Sequence, residues 1–226
     1  VGSGAVAGIG GDLTGDSSTS YGVYAAVRSP ITVESGSLAG TGGQSANSCG
    51  VCSEDIAVRN SGSLTGTAGS ASSKTDSASS VGVDAGQITI QDSGVLTGTG
   101  GAADAGESSA KSTGVDSSGI TVQDNGVLTG IAGAAETNSD RSSATSMGVT
   151  AGRLTVQDNG ALTGTAGPAV NRTQTLDENY FLIADAARSV GVSASSAITV
   201  QDSGVLTGEG DTAECAADSS RTESYG

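Results

Sequence analysis

Apolar residues in this chain alternate with polar ones at a period of two, and the alternation returns at fixed places. In "GVDA" (82–85) the apolar positions are Val83 and Ala85; in "ITIQD" (88–92) they are Ile88 and Ile90. In "VLTGT" (95–99) the constant one is Leu96, while its neighbour varies from unit to unit (Ser37, Ser63, Val95, Val127, Ala161, Val205). Period two places alternate side chains on one buried face, so each segment is predicted to be a short strand. Ile, Val and Thr suit a pleated, half-buried surface. Helical spacing is absent from the repeated part.

The strand signals recur as a unit that opens on Gly-Val, at Gly22, Gly50, Gly82, Gly114, Gly148 and Gly191, with spacings of 28, 32, 32, 34 and 43 residues. Each unit runs from the Gly-Val segment through an "ITI" segment, a Ser-Gly or Asn-Gly turn and a "VLTGT" segment. A Ser/Ala/Thr-rich stretch of variable length follows. Gly94, Gly126, Gly160 and Gly204 follow Ser or Asn, where the turn is expected to need positive φ. Repeats of this length are solenoids, propellers or arrays. Three short strands per unit fit one coil of a right-handed parallel β-helix, an all-β solenoid with about one coil per 28–43-residue repeat. A single coil cannot bury its own face; coils stacked about 4.8 Å apart can. The expected core columns are Val23, 51, 83, 115, 149 and 192; Ile or Leu at 31, 56, 88, 120, 154 and 198; Val or Ile at 33, 58, 90, 122, 156 and 200; and Leu38, 64, 96, 128, 162 and 206. A propeller needs four antiparallel strands per blade and more aromatic residues.

Length differences fall almost wholly after the "VLTGT" segment, which predicts variable loops on one side of the rod. The longest contains "LDENYFLIADAARS" (176–189), read as a short amphipathic helix with Tyr180 and Phe181 as a cap or a partner contact. "SGAVAGIGG" (3–11) aligns with "SGVLTGTGG" (93–101), and "SYG" (224–226) with "SYG" (20–22). The expectation is one β-helix segment over 1–226, cut from a longer array.

Composition narrows the fold. Among 226 residues there are 37 Gly, 2% aromatics, no His and no Trp, too few large side chains for a thick globular core. A thin core repeated many times reconciles this with the regular Val, Ile and Leu. The net charge of −15 argues against nucleic acid and anionic membranes as partners, and no apolar run reaches a membrane span. Without His, a Ser-His-Asp or Cys-His site cannot form within the chain, and nine scattered Lys and Arg form no cluster. The expectation is therefore no enzyme and no cofactor.

Two stacked rows carry the remaining chemistry. Asp92, Asp124, Asp158 and Asp202, with Asn60 equivalent, would repel each other at rung spacing. Either each carboxylate accepts backbone N–H bonds in its turn, or Ca²⁺ bridges the rungs. Thr65, Thr97, Thr129, Thr163 and Thr207 form an outward row, with Thr41, Thr67, Thr99 and Thr165 beside it. Paired outward Thr is ice-binding geometry, but Ala7, Ala39, Ile9, Ile131 and Glu209 interrupt it, and Thr is common on exposed strands. Thr65, Thr97 and Thr163 remain candidate contacts, together with Tyr180 and Phe181. Cys49 and Cys52 form a CxxC without a second pair, so zinc is not expected and both read as ordinary repeat positions; Cys215 has no obvious mate in sequence. Asn171-Arg172-Thr173 is a formal glycosylation sequon.

"GVDAGQITIQDSGVLTGTGG" (82–101) and "GVTAGRLTVQDNGALTGTAG" (148–167) resemble the Gly/Thr-rich repeats of bacterial surface proteins with pectate-lyase-like right-handed β-helices, including carbohydrate-binding domain-containing and adhesin types. The resemblance covers most of the chain outside the variable loops. It implies export to the cell surface and, for some members, binding of acidic polysaccharide. The chain departs from them in having no regular Lys or Arg row. The combined expectation is a non-catalytic extracellular stalk, adhesin or fibre segment, with a polysaccharide-binding module as the alternative. Its partners would be another protein, a surface glycan, or further copies joined end to end or laterally.

Overall fold

The computed structural model describes residues 1–26, 28–139, 142–172, 186–215 and 221–226. They form a parallel β-solenoid of about six turns, with no helix among them. Every pairing between strands is parallel and joins equivalent residues of successive units: Val51 to Val83 to Val115 to Val149 to Val192, and Leu64 to Leu96 to Leu128 to Leu162 to Leu206.

Three sheets run the length of the rod. The first stacks the five-residue segments, such as Val95–Thr99 and Val127–Ile131. The second stacks strands of 12–15 residues, such as Asn47–Val58, Ala78–Ile90, Ala110–Val122 and Ala186–Val200. Here the expected Gly-Val and "ITI" strands are one bent strand, because the backbone pairing continues across the bend; only in the first turn do they stay separate, as Thr19–Tyr24 and Ile31–Val33. The third sheet was not foreseen. It stacks Ala71–Ser73, Ala103–Ala105, Ala135–Thr137, Ala169–Asn171 and Ala213–Cys215. These three-residue strands lie in the Ser/Ala-rich stretch that reads as loop. Most of the variation in length falls between the short strand and the next long one, over 74–77, 106–109, 138–142 and 172–185; the rest lies at 25–30 and opposite Gly152. The described strands that flank these intervals pair in register from turn to turn. Most of 176–189, with Tyr180 and Phe181, lies outside the described residues. Its end, from Ala186 on, is strand rather than the expected helix, paired to Ser143–Val156.

Two Gly columns pinch the cross-section. A Cβ on Gly98 would sit 2.3 Å from the Gly114 carbonyl oxygen, and one on Gly114 would sit 2.2 Å from the Ile131 nitrogen. No side chain fits where these backbones touch, so the pinch divides the interior into two lobes. One lobe holds the predicted columns, with Val83, Ile90, Leu96, Val115, Val122 and Leu128 fully buried. The other holds an apolar cluster built mostly of Ala, including Ala103, Ala110, Ala135, Ala144 and Ala169, with Cys215 packed against it. In the last turn Ile198 and Val200 are about half exposed, because no further coil covers them.

A buried Ser precedes each Gly-Val anchor by two residues and ties the turns together. Ser112 Oγ donates to the Gly101 carbonyl at 2.8 Å and accepts from the Gly133 N–H at 2.8 Å. Ser146 in turn donates to the Gly133 carbonyl and accepts from the Gly167 N–H. Ser80 and Ser189 extend the same chain of hydrogen bonds. The corner glycines have no sheet partner for these groups, and the hydroxyl supplies one.

The turn after each "ITI" segment differs from expectation in one respect. Positive φ falls on Asp92 (52°) and Ser93 (72°), and on Asp124 (50°) and Asn125 (66°), not on the following Gly. Gly94 N–H donates to the Gln91 carbonyl at 2.9 Å, which with two left-handed central residues makes a type I′ turn. Asp and Asn tolerate that conformation. Gly94 is needed instead for close approach, since a Cβ there would lie 2.5 Å from the Val58 carbonyl oxygen.

Candidate functional site

The Gly-Val anchor shapes the outside of the rod as well as the pinch within it. Gly50 and Val51 both face inward and are buried. Two consecutive inward residues break the alternation, so Cys49 and Cys52 emerge together on the outer face. Their Cα atoms are 6.3 Å apart, against roughly 10 Å for three residues of extended chain. The long strand is therefore dented, concave side outward, and equivalent dents stack into a groove along the rod.

Each turn dresses its dent differently. In the first described turn Tyr21 and Tyr24 flank it, their ring centroids 4.9 Å apart and tilted by 41°. Cys49 and Cys52, paired in register with these tyrosines, are joined by a disulfide. They occupy repeat positions, as the sequence suggests, and they are also a covalent staple across the dent. Val81 and Asp84 follow, then Thr113 and Asp116. At that turn the Lys111 ammonium lies 2.6 Å from Asp116 and spans the dent.

Between the tyrosines and Asp84 lies a cavity of about 550 Å³. The disulfide and Val81 line it together with the polar side chains of Thr19, Asn47, Ser53, Glu54 and Ser79. Tyr21 is 41% and Tyr24 58% exposed, so the ring surfaces are open to a ligand. Glu54 accepts a hydrogen bond from the Arg28 backbone N–H. Asp84 reaches solvent at the mouth. Desolvation by the surrounding protein and then the negative Asp116 hold its carboxyl above the ordinary carboxylate range, with Lys111 opposing them. The cavity wall thus combines aromatic faces, hydroxyl and amide groups, and carboxylates, with no Lys or Arg side chain in the lining.

The sequence-predicted residues are distributed otherwise. Asp92, Asp124 and Asp158 stack on successive turns, but each accepts a hydrogen bond from the side-chain amide of the Gln before it, at 2.9–3.0 Å, rather than from turn backbone. The Gln side chains also bond to one another, Gln201 to Gln157 at 2.9 Å. Asp202 shares the left-handed φ, at 53°. Among the described residues no group of three or more His, Cys, Asp or Glu is arranged to hold a metal ion. Thr65, Thr97 and Thr163 do stack in one register on the outer face of the five-residue sheet, between inward Leu and Gly. They lie on a different sheet from the groove. The sequon fares differently: Asn171 is buried, and its amide donates to the Ser139 and Ser142 carbonyls.

Sequence reading did not find the groove because its lining is split by the anchor. Its signal is the pair of residues flanking each Gly-Val, at i and i+3: Tyr21 and Tyr24, Cys49 and Cys52, Val81 and Asp84. Comparison of the chain with protein-family models, curated proteins and solved structures found no match.

Proposed function

We propose that the chain is a non-catalytic structural and adhesive segment of an extracellular β-solenoid, a spacer or stalk that carries contact surfaces. The observation that carries this reading is the parallel stacking of about six turns in a common register, interrupted only by a one-residue irregularity opposite 151–153 and an insertion at 25–30. Equivalent residues regain their pairing beyond each interruption, and the rod lengthens by about 4.8 Å per turn. Small outward Thr and Ser side chains suit an exposed rod. The Cys49–Cys52 disulfide suits an oxidising compartment outside the cell. The likeness of the repeat to those of Gly/Thr-rich bacterial surface proteins supports the same reading.

Pulling the chain from its two ends in a force spectrometer tests the spacer role. A stalk unravels turn by turn, giving a series of force peaks with about one repeat of 28–43 residues released per peak. Extension at negligible force would contradict it. Incubation with a panel of plant and bacterial polysaccharides tests the absence of catalysis, and release of reducing or unsaturated ends would overturn it. A polysaccharide-binding module is the second reading, favoured by the exposed Tyr21–Tyr24 pair above a polar cavity.

A further inference from the structure

We infer that the groove beneath Tyr21 and Tyr24 binds a cationic amino sugar, a hexosamine unit of a glycan whose nitrogen is a free ammonium. This deepens the polysaccharide-binding reading and rests on it.

Three features converge on that ligand. The exposed rings, tilted by 41° with centroids 4.9 Å apart, offer an open aromatic surface against which the C–H face of a pyranose can stack. Thr19, Asn47 and Ser79 stand in one register row along the cavity wall and provide donors and acceptors for ring hydroxyls. The charge is one-sided: Asp84 and Glu54 line the cavity and no basic side chain does. Such a lining repels uronic acids and attracts an ammonium, which the tyrosine faces also favour.

Asp84 is the best placed partner for that charge. Its register neighbour Asp116 is already matched by Lys111 at 2.6 Å, whereas among the described residues Asp84 has no ion pair of its own. An ammonium there would relieve the repulsion between the two carboxylates. The disulfide between Cys49 and Cys52 forms part of the cavity wall and holds the dent open without the ligand having to order it. A basic peptide would also satisfy the carboxylate, but a hexosamine adds a C–H ring face for the tyrosines and a ring of hydroxyls for the polar row.

The experiment titrates the whole chain with fully deacetylated glucosamine tetramer, read by calorimetry and by amide shifts in NMR. N-acetylglucosamine tetramer and a lysine tetrapeptide serve as comparisons. The expected result is binding of the glucosamine tetramer, with shifts at residues 19–24, 47–54 and 79–84, and at least about tenfold weaker binding of both comparisons. Asp84→Asn and Tyr24→Leu are each expected to weaken it about tenfold, with the amide spectrum elsewhere unchanged as proof of folding. Equal or tighter binding of the acetylated tetramer would overturn the assignment of a cation. Equal binding of the peptide would overturn the assignment of a sugar, and absence of binding would overturn the site. None of these three results bears on the force-peak pattern that tests the stalk.

Discussion

Replacing Ser112 by Ala removes one oxygen atom and strands two backbone groups. Ser112 is fully buried, and its hydroxyl joins the Gly101 carbonyl and the Gly133 N–H at 2.8 Å each. A stranded buried group costs about 1–3 kcal/mol. Gly101 and Gly133 sit at a corner and are only partly covered, which puts each at the lower end. The net loss should therefore be about 2–3 kcal/mol. Exposed Ser72, altered to Ala, should stay within about 0.5 kcal/mol and serves as the control. Solenoid turns fray from their ends, so a global unfolding curve alone blurs the effect. The sharper assay is native-state hydrogen exchange at the Gly133 amide, which should quicken roughly 30- to 150-fold, tenfold for each 1.4 kcal/mol. A loss below about 0.5 kcal/mol together with unchanged Gly133 protection would refute the claim that the serine chain ties the turns together.

Four further outcomes can be checked. Gly98→Ala forces a methyl against the Gly114 carbonyl and should cost at least about 2 kcal/mol in guanidinium melts, with opening of the two adjoining turns visible by exchange. Thr113 buries a hydroxyl without a partner beside Val81 and Met147, so Thr113→Val should stabilise by about 1–2 kcal/mol in the same melts. Asp16 accepts bonds from the Lys74 N–H and the Thr75 and Ser73 hydroxyls, which hold its carboxyl below the ordinary value of 3.8. Its stabilising effect is thus complete above that value and is lost as pH falls through the lowered one, so exchange at the Lys74 amide should rise there in the native chain and already be high at neutral pH in Asp16→Asn. Exposed Ile198 and Val200 should drive concentration-dependent end association, which light scattering should detect and Val200→Lys should suppress.

The fold was legible because the aliphatic columns repeat at period two and a parallel solenoid is the one arrangement that buries them all. Val115, Ile120, Val122 and Leu128 are as buried as the spacing demands. The alanine strands were not legible, since Ala103 and Ala105 carry neither the bulk nor the β-branching that marks a strand. The Ser-x-Gly spacing, as in Ser112 and Gly114, was visible but had no meaning until the corner glycines lacked partners. The groove stayed hidden for a similar reason. Residues three apart, such as Tyr21 and Tyr24, point to opposite faces of a regular strand, and only the dent brings them to the same side.

The corner between each short strand and the next long one can lengthen freely. The interval grows from 106–109 to 172–185, yet Ala187 still pairs with Ala144 as Ala144 pairs with Ala110. Sequence grafted at that corner would therefore be displayed at a fixed height along the rod without altering the wall that carries it. Two grafts one turn apart would stand about 4.8 Å from each other, so the molecule offers a ruler on which foreign peptides can be set at chosen, closely graded separations.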